Sequence, residues 1–273
     1  MNRSALVALK PGADHQPLLT FAIYLARQNG LRLGGITILD RDLFAPPEPV
    51  PLGGMSYKVE LDEARLAKVR QQMVATMDEF SWSCTDAGVA FSITSGEESL
   101  GPELAHAVQR FDLLLLGRPE LGAEPTHLHS ILRRCPRPAI VVPPQAWTGE
   151  TVVVAYDASV QAARAVKSFV ASDLERNSPV HVVAYHDNLR LAQDAVALCR
   201  DFLVGHGRQV FAEADSVPSG TSATELILAA CHKHKARLLV MGAYGRSVIR
   251  EFFFGSVTSR MLAEAPLPVF VDS

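Results

Sequence analysis

RLLVMGAYGRSVIREFFFGSVTS, residues Arg237 to Ser259, is the stretch from which the rest of the chain is read. Leu238, Leu239, Val240 and Met241 make a short unbroken apolar run, the pattern of a strand buried on both faces. Gly242 interrupts it, Gly245 follows, and Gly255 is succeeded at once by Ser256, Val257, Thr258 and Ser259, giving the spacing G-x2-G-x9-G-S. Glycine permits positive φ and lets a ligand approach with no Cβ in its way. Hydroxyl residues that open a helix behind a glycine offer free N–H groups, side-chain donors and the positive end of the helix dipole, which suits an anion. Gly242 and Gly245 then form one wall of a phosphate cradle, and Gly255 to Thr258 the other. The competing reading is a plain strand–turn–helix connection whose glycines serve only the turns.

The elements on either side of this stretch repeat. In the first half, Ala5 to Leu9 is a short strand closed by Lys10-Pro11-Gly12, and Leu18, Ala22, Leu25 and Ala26 share one helical stripe ended by Asn29-Gly30. Leu31 to Leu39 reads as strand, the proline-rich Arg41 to Gly54 as loop, Glu60 to Phe80 as helix and Gly88 to Thr94 as strand. Glu103 to Arg110 reads as helix, Leu113 to Leu116 as a buried strand and Ala139 to Val142 as the closing strand. The second half runs the same cycle: strand Thr151 to Tyr156, a stripe at Ala162, Val166, Phe169 and Val170, strand Val180 to Tyr185, helix Leu189 to Val204, strand Arg208 to Ala214, helix Thr221 to Lys235, strand Leu238 to Met241 and strand Val269 to Val271. Two local signatures make this an internal repeat. Arg110 to Gly117 (RFDLLLLG) answers Lys235 to Gly242 (KARLLVMG), and Pro136-Arg137-Pro138 before one closing strand answers Pro266-Leu267-Pro268 before the other. Alternating apolar strands and amphipathic helices predict α/β units, each an open parallel sheet with helices on both faces. The boundary falls at 146/147, and the short linker Pro143 to Glu150 predicts halves that pack on each other.

Composition bounds the rest. The chain has 273 residues, 48% of them hydrophobic, enough for a real core in each half. A net charge of −3, with no basic stripe, excludes a general nucleic-acid or membrane-surface binder. Cys84, Cys135, Cys199 and Cys231 form no C-x-x-C pair and read as small buried hydrophobes in a reducing compartment. The N-terminal apolar run is too short for a signal peptide and no run is long enough to span a membrane, so the expectation is a cytoplasmic protein.

In doubly wound sheets ligands sit beyond the carboxyl ends of the strands, at the switch point. That places the glycine loop beside Ala155-Tyr156-Asp157-Ala158-Ser159. Asp157 has two readings: cap of the helix near Val160, with Ser159 as the nearer competitor, or a site group facing a ribose hydroxyl or a phosphate-held metal. The chain has no G-x4-G-K-[ST], no G-x-S-x-G, and no lysine between Gly242 and Ser273, so phosphoryl transfer and hydrolase chemistry are unsupported. Arg246 and Arg250 either supply charge to the loop or are solvated surface groups. His232 and His234 stand two apart on a helix and point to different sides, while His127 and His129 could share a metal if extended but have no apparent third ligand, so no metal site is expected at either pair.

These residues resemble the universal stress protein family. The resemblance rests on G-x2-G-x9-G-S after an apolar strand, on hydroxyls after the last glycine, on P-x-P before the closing strand, and on VVVAYDASVQA at Val152 to Ala162. It covers nearly the whole chain as two tandem copies, 1–146 and 147–273, and its motif is intact in the second. It implies two sheets of strand order 3-2-1-4-5 in an adenine-nucleotide α-hydrolase-like fold, with the copies paired through their closing strands as an intramolecular pseudo-dimer and room for a further homodimer. It also implies ATP, with or without Mg2+, bound rather than turned over fast. Carried over by position, Ala155, Tyr156 and Asp157 lie by the ribose and phosphates, and the Tyr185 backbone meets the adenine. Met241, Gly242, Gly245, Arg246, Gly255, Ser256, Val257 and Thr258 make the loop around ribose and phosphates.

The first copy departs from the pattern. Lys10 stands where the acid is expected, Arg118-Pro119-Glu120 follows Gly117, and Pro125 and Thr126 fall where Gly255 and Ser256 stand in the second copy. Proline donates no N–H, and a β-carbon closes the approach that glycine leaves open. The first half is therefore expected not to bind nucleotide in that way. The leading expectation is an ATP-binding stress-response protein that senses a ligand or a partner. Its rivals are a same-fold enzyme with slow ATPase or nucleotidyl-transfer activity, and a scaffold without nucleotide. The stretch Arg41 to Tyr57, unmatched in the second half, reads as an insertion or lid, or as a partner surface.

Overall fold

A computed structural model describes residues 3–40, 55–97, 100–118, 125–145, 147–243 and 256–272, without the side chains of 125–127 and 256. The chain forms two compact units, one of residues 1–117 with 134–136, the other of 118–133 with 137–273. By contacts, the segments 118–133 and 137–146 thus group with the second half.

In the first unit the strands are β1 (Ser4–Ala8), β2 (Arg32–Ile38), β3 (Phe91–Gly96) and β4 (Leu113–Gly117), all parallel in the order β3-β2-β1-β4. Ser4 fixes the start of β1 on the loop before β4: its N–H and hydroxyl both donate to Asp112 Oδ2, at 2.9 and 3.1 Å. Helix α1 (Gln16–Asn29) starts with Pro17 in its first turn, where a missing N–H costs nothing, and its first N–H donates to Asp14 Oδ1 at 2.9 Å. It ends at Gly30, whose φ of 63° gives the left-handed cap that closes a helix without a Cβ penalty. Leu18, Leu19, Ala22, Leu25 and Ala26 are its buried stripe.

Helix α2 (Met55–Asp86) is longer than the pattern suggests, because no breaker interrupts it before Gly88, at φ 67°. Met55 to Tyr57, read from sequence as loop, are its first residues, and 41–54 lie outside the described residues. A short helix α3 (Leu100–Ala107) runs into a 3-10 turn (Val108–Arg110) ahead of β4.

The second unit holds α4 (Pro125–Arg134, up to residue 133) and a sheet ordered β5-β10-β9-β6-β7-β8. Its strands are β5 (Ala139–Val142), β6 (Thr151–Ala155), β7 (Val180–Tyr185), β8 (Val210–Asp215), β9 (Ala236–Gly242) and β10 (Val269–Asp272). The second half's own strands thus take the order 3-2-1-4-5, all parallel. The sixth strand, β5, comes from the first half and is antiparallel to β10, with Phe270 opposite Ile140.

Helices α5 (Val160–Ala171), α6 (Leu189–Gly205), α7 (Ala223–Lys233) and α8 (Ser256–Glu264) complete the unit. Each of the first three has a polar cap at its start: Ser159, Asn188 and Ser222. The core is dry and aliphatic, with Phe169 and Phe270 edge-to-face at 5.9 Å. Arg208 is the buried cation within it: its guanidinium donates to the carbonyls of Glu175 and Leu174 at 2.7 and 2.8 Å, and its Cζ lies 4.8 Å from the Phe169 ring centre. All four cysteines are buried, and burial raises the thiols of Cys84 to about 11 and of Cys199 and Cys231 to about 12. No described helix is long and apolar enough to cross a membrane.

Candidate functional site

β6 pairs with β7 on one side and with β9 on the other, so the chain reverses its direction of winding between β6 and β9. The carboxyl ends of these two strands are therefore the switch point of the second unit. Ala155, the last residue of β6, sits opposite Met241 on β9 and opposite Val183 on β7. Tyr156, Asp157, Gly242 and the first turn of α8 all follow from that rung.

Gly242 ends β9 against the start of α5. A Cβ there would lie 2.5 Å from the Ala162 backbone nitrogen and 2.7 Å from the Gln161 carbonyl carbon, distances no side chain can hold. The first glycine of the motif is thus fixed by strand-to-helix packing, whatever binds nearby. The Thr258 hydroxyl, buried in the first turn of α8, donates to the Gly242 carbonyl at 3.4 Å. Ala243 N–H donates to the Asp272 carbonyl at 3.1 Å, and Asp272 in turn accepts from the Ser168 hydroxyl at 2.5 Å. These contacts hold both ends of the glycine loop to the sheet.

The loop after β6 shows which residue caps α5. Ser159 is the cap: its Oγ accepts from Ala162 N–H at 3.1 Å. Asp157 acts one step earlier, where its Oδ1 accepts from Ser159 N–H at 3.0 Å. Its carboxylate remains exposed at the end of β6. Between them Ala158 has φ 59°, a left-handed conformation that alanine seldom adopts. Nothing in an alanine signals that conformation, so the sequence reading missed it.

Tyr185 is the last residue of β7. Tyr156 N–H donates to the Val183 carbonyl at 3.0 Å, so Val183 directs its backbone polar groups toward β6. Strand alternation turns those of Tyr185 the same way, two residues past the final β6–β7 rung, while His186 N–H points to the Asp215 carbonyl on the other side at 3.3 Å. Burial, reinforced by Glu213 and Asp215, raises the Tyr185 phenol to about 12, and burial likewise raises Tyr156, so both stay neutral near pH 7.

The structure therefore brings together Ala155, Tyr156, Asp157, Tyr185, Met241, Gly242, Val257 and Thr258 at one end of the sheet. Gly245, Arg246 and Gly255 lie outside the described residues, as does the side chain of Ser256, whose backbone starts α8. In the first unit, Lys10 is exposed after β1, and Gln72 of α2 lies against Gly12 so closely that a Cβ there would meet its amide at 2.5 Å. Pro125 begins α4, and 119–124 lie outside the described residues.

Comparison with known proteins agrees with this architecture. Residues 209–272 match the universal stress protein family. The universal stress protein Slr1230 of Synechocystis is 29% identical over 173 residues, a match that covers 58% of this chain and 57% of that relative's length. In fold, the chain is similar to a universal stress protein from Archaeoglobus fulgidus at TM-score 0.73 and 15% identity, over 99% of this chain and 96% of that one. A protein of unknown function from Pseudomonas aeruginosa PAO1 is also similar, at TM-score 0.61 and 17% identity, over 99% and 92% of the two chains. With the strand order and the glycine motif in the matched region, these findings make residues 209–272 similar to the universal stress protein family in sequence and the chain similar to its members in fold.

Proposed function

We propose that the second half binds one ATP, alone or with Mg2+, at the carboxyl ends of β6, β7 and β9, and that the protein uses the bound state to signal stress to a partner. The observation that carries the reading is the switch point itself. The exposed Asp157 carboxylate, the outward backbone edge of Tyr185 and the Thr258-anchored start of α8 surround the end of one strand rung. Adenine takes the backbone edge of Tyr185, the ribose and any phosphate-bound Mg2+ face Asp157, and the phosphates lie in the loop ending at Gly255-Ser256. No lysine occurs from Gly242 to Ser273, which favours holding phosphate over transferring it. The first half contributes β5 to the second unit's sheet, which supports its role as a permanent intramolecular partner.

Thermal melting with and without millimolar ATP tests the reading. A ligand at a hundredfold excess over its Kd stabilises by about 2.7 kcal/mol, a rise of several degrees. Gly255→Pro should abolish the rise and Asp157→Ala should shrink it, with ligand-free melting temperatures close to wild type. A wild-type protein that does not respond, and carries no adenine nucleotide in native mass spectra, overturns it. ATP turnover by the wild type would favour the slow-hydrolase alternative.

A further inference from the structure

A second constellation lies toward the amino end of β7, away from Tyr185. His181, the second residue of β7, Glu213 on β8 and His234, which ends α7, each place a ligand atom within 4.8 Å of the other two. The register explains the convergence. His181 is opposite Phe211 and Val183 opposite Glu213, so all four point to one face of the sheet. His234 lies over the same face, its carbonyl accepting from the Thr151 hydroxyl at 2.7 Å and its N–H donating to the Ala230 carbonyl at 3.0 Å. The His181 ring stacks between Phe211, at 5.0 Å, and His234, at 3.9 Å.

Two nitrogens in this stack have no visible task. His181 Nδ1 and His234 Nε2 are buried without a hydrogen bond among the described residues. His234 Nε2 is 3.1 Å from Glu213 Oε1. A buried polar atom left unbonded is costly and asks for a partner.

We propose that His181, Glu213 and His234 bind one divalent transition-metal ion of the zinc class, with water completing the coordination from the exposed side of Glu213. Two imidazoles and a carboxylate are a recurrent zinc set with an open fourth position. Glu213 is 43% exposed, so the ion enters from solvent. Nearly parallel rings 3.9 Å apart aim their lone pairs side by side, so binding turns one ring out of the stack. Lys233 Nζ donates to Glu213 Oε2 at 2.7 Å and is the competitor the ion displaces. This site is separate from the proposed nucleotide site and does not depend on it.

Calorimetric titration of tag-free, chelator-treated full-length chain with Zn2+, without nucleotide, provides the test. It should show one ion per chain. His181→Gln and Glu213→Gln should each weaken binding by more than about 100-fold while leaving circular dichroism and metal-free melting unchanged, because ligand loss exceeds the roughly 10- to 100-fold effect of outer-sphere changes. Lys233→Gln should tighten binding several-fold, as no ordinary surface histidine would predict. Co2+ in place of Zn2+ should give a visible absorption band that Glu213→Gln removes. Asp157→Ala should leave every one of these readings unchanged. Absent binding in the wild type, binding unaffected by either ligand substitution, or weaker binding in Lys233→Gln overturns the proposal.

Discussion

Gly242 shows how one residue can satisfy a motif for reasons unrelated to the ligand. Its missing Cβ makes room for the Gln161–Ala162 backbone, which has no side chain to swing aside. Gly242→Ala is therefore expected to destabilise the protein by about 2–3 kcal/mol, in the range for overpacking a tight site. Urea unfolding without nucleotide should show that loss; an unchanged midpoint would mean the strand end shifts freely. Ala158 is the opposite case, an L-residue held at φ 59° where glycine pays no steric penalty. Ala158→Gly should raise stability by up to about 1 kcal/mol in the same experiment, net of glycine's greater entropy when unfolded. At this scale pattern located the strand ends near Asp157, Tyr185 and Gly242, whereas the place of Tyr185 in a site came from the resemblance alone. It did not disclose why Gly242 is glycine, because that depends on a backbone approach between elements distant in the chain, nor that Ser159 rather than Asp157 caps α5, because both residues are cap formers within reach of the helix start.

Among the helices, α7 carries the fullest start signal. The Ser222 hydroxyl accepts from Glu225 N–H at 3.2 Å, and the Glu225 carboxylate accepts from Ser222 N–H at 2.9 Å, a closed capping box. Ser222→Ala should cost about 1 kcal/mol, read as a shift in denaturation midpoint. The hydrogen bonds from the Ser222 backbone and side chain hold Glu225 below its ordinary value of 4.5. A depressed folded-state value means the stabilisation is complete above 4.5 and is lost as pH falls through the lower folded value. The Glu225→Gln difference from wild type should accordingly shrink as pH falls below 4.5, and a difference constant with pH would show that the carboxylate adds nothing. Most elements were legible because periodicity and glycine stops mark them, as with α1 ending at Gly30. The length of α2 was not, since apolar residues are spread around its first turns, where Met55, Tyr57, Val59 and Leu61 are exposed, and no single stripe marks them. The meeting of His181, Glu213 and His234 was not legible either, because it depends on β7–β8 register and on where α7 stops.

Over the whole molecule, the strand that joins first-half sequence to second-half sheet is β5. Ala139, Ile140, Val141 and Val142 are all at most 3% exposed, and the first three form the antiparallel rung with Val271, Phe270 and Val269. Apolar composition identified β5 as a strand, yet a four-residue run cannot say which neighbour it pairs with, because either edge would bury it equally. The pairing matters because β10 would otherwise be an open, apolar edge of the second unit's sheet, a template for any free strand. A fragment of residues 147–273 keeps β6 to β10 and loses β5. The available replacement is β10 of a second fragment, since an antiparallel β10–β10 pair centred on Phe270 is self-complementary about a two-fold axis. The fragment is therefore expected to run as a dimer in size-exclusion chromatography with light scattering, and a peptide of residues 136–145 added in excess should shift it toward monomer. A folded fragment that stays monomeric at all concentrations would show that the β10 edge needs no cover, and that β5 is a bystander rather than the strand that closes the second unit.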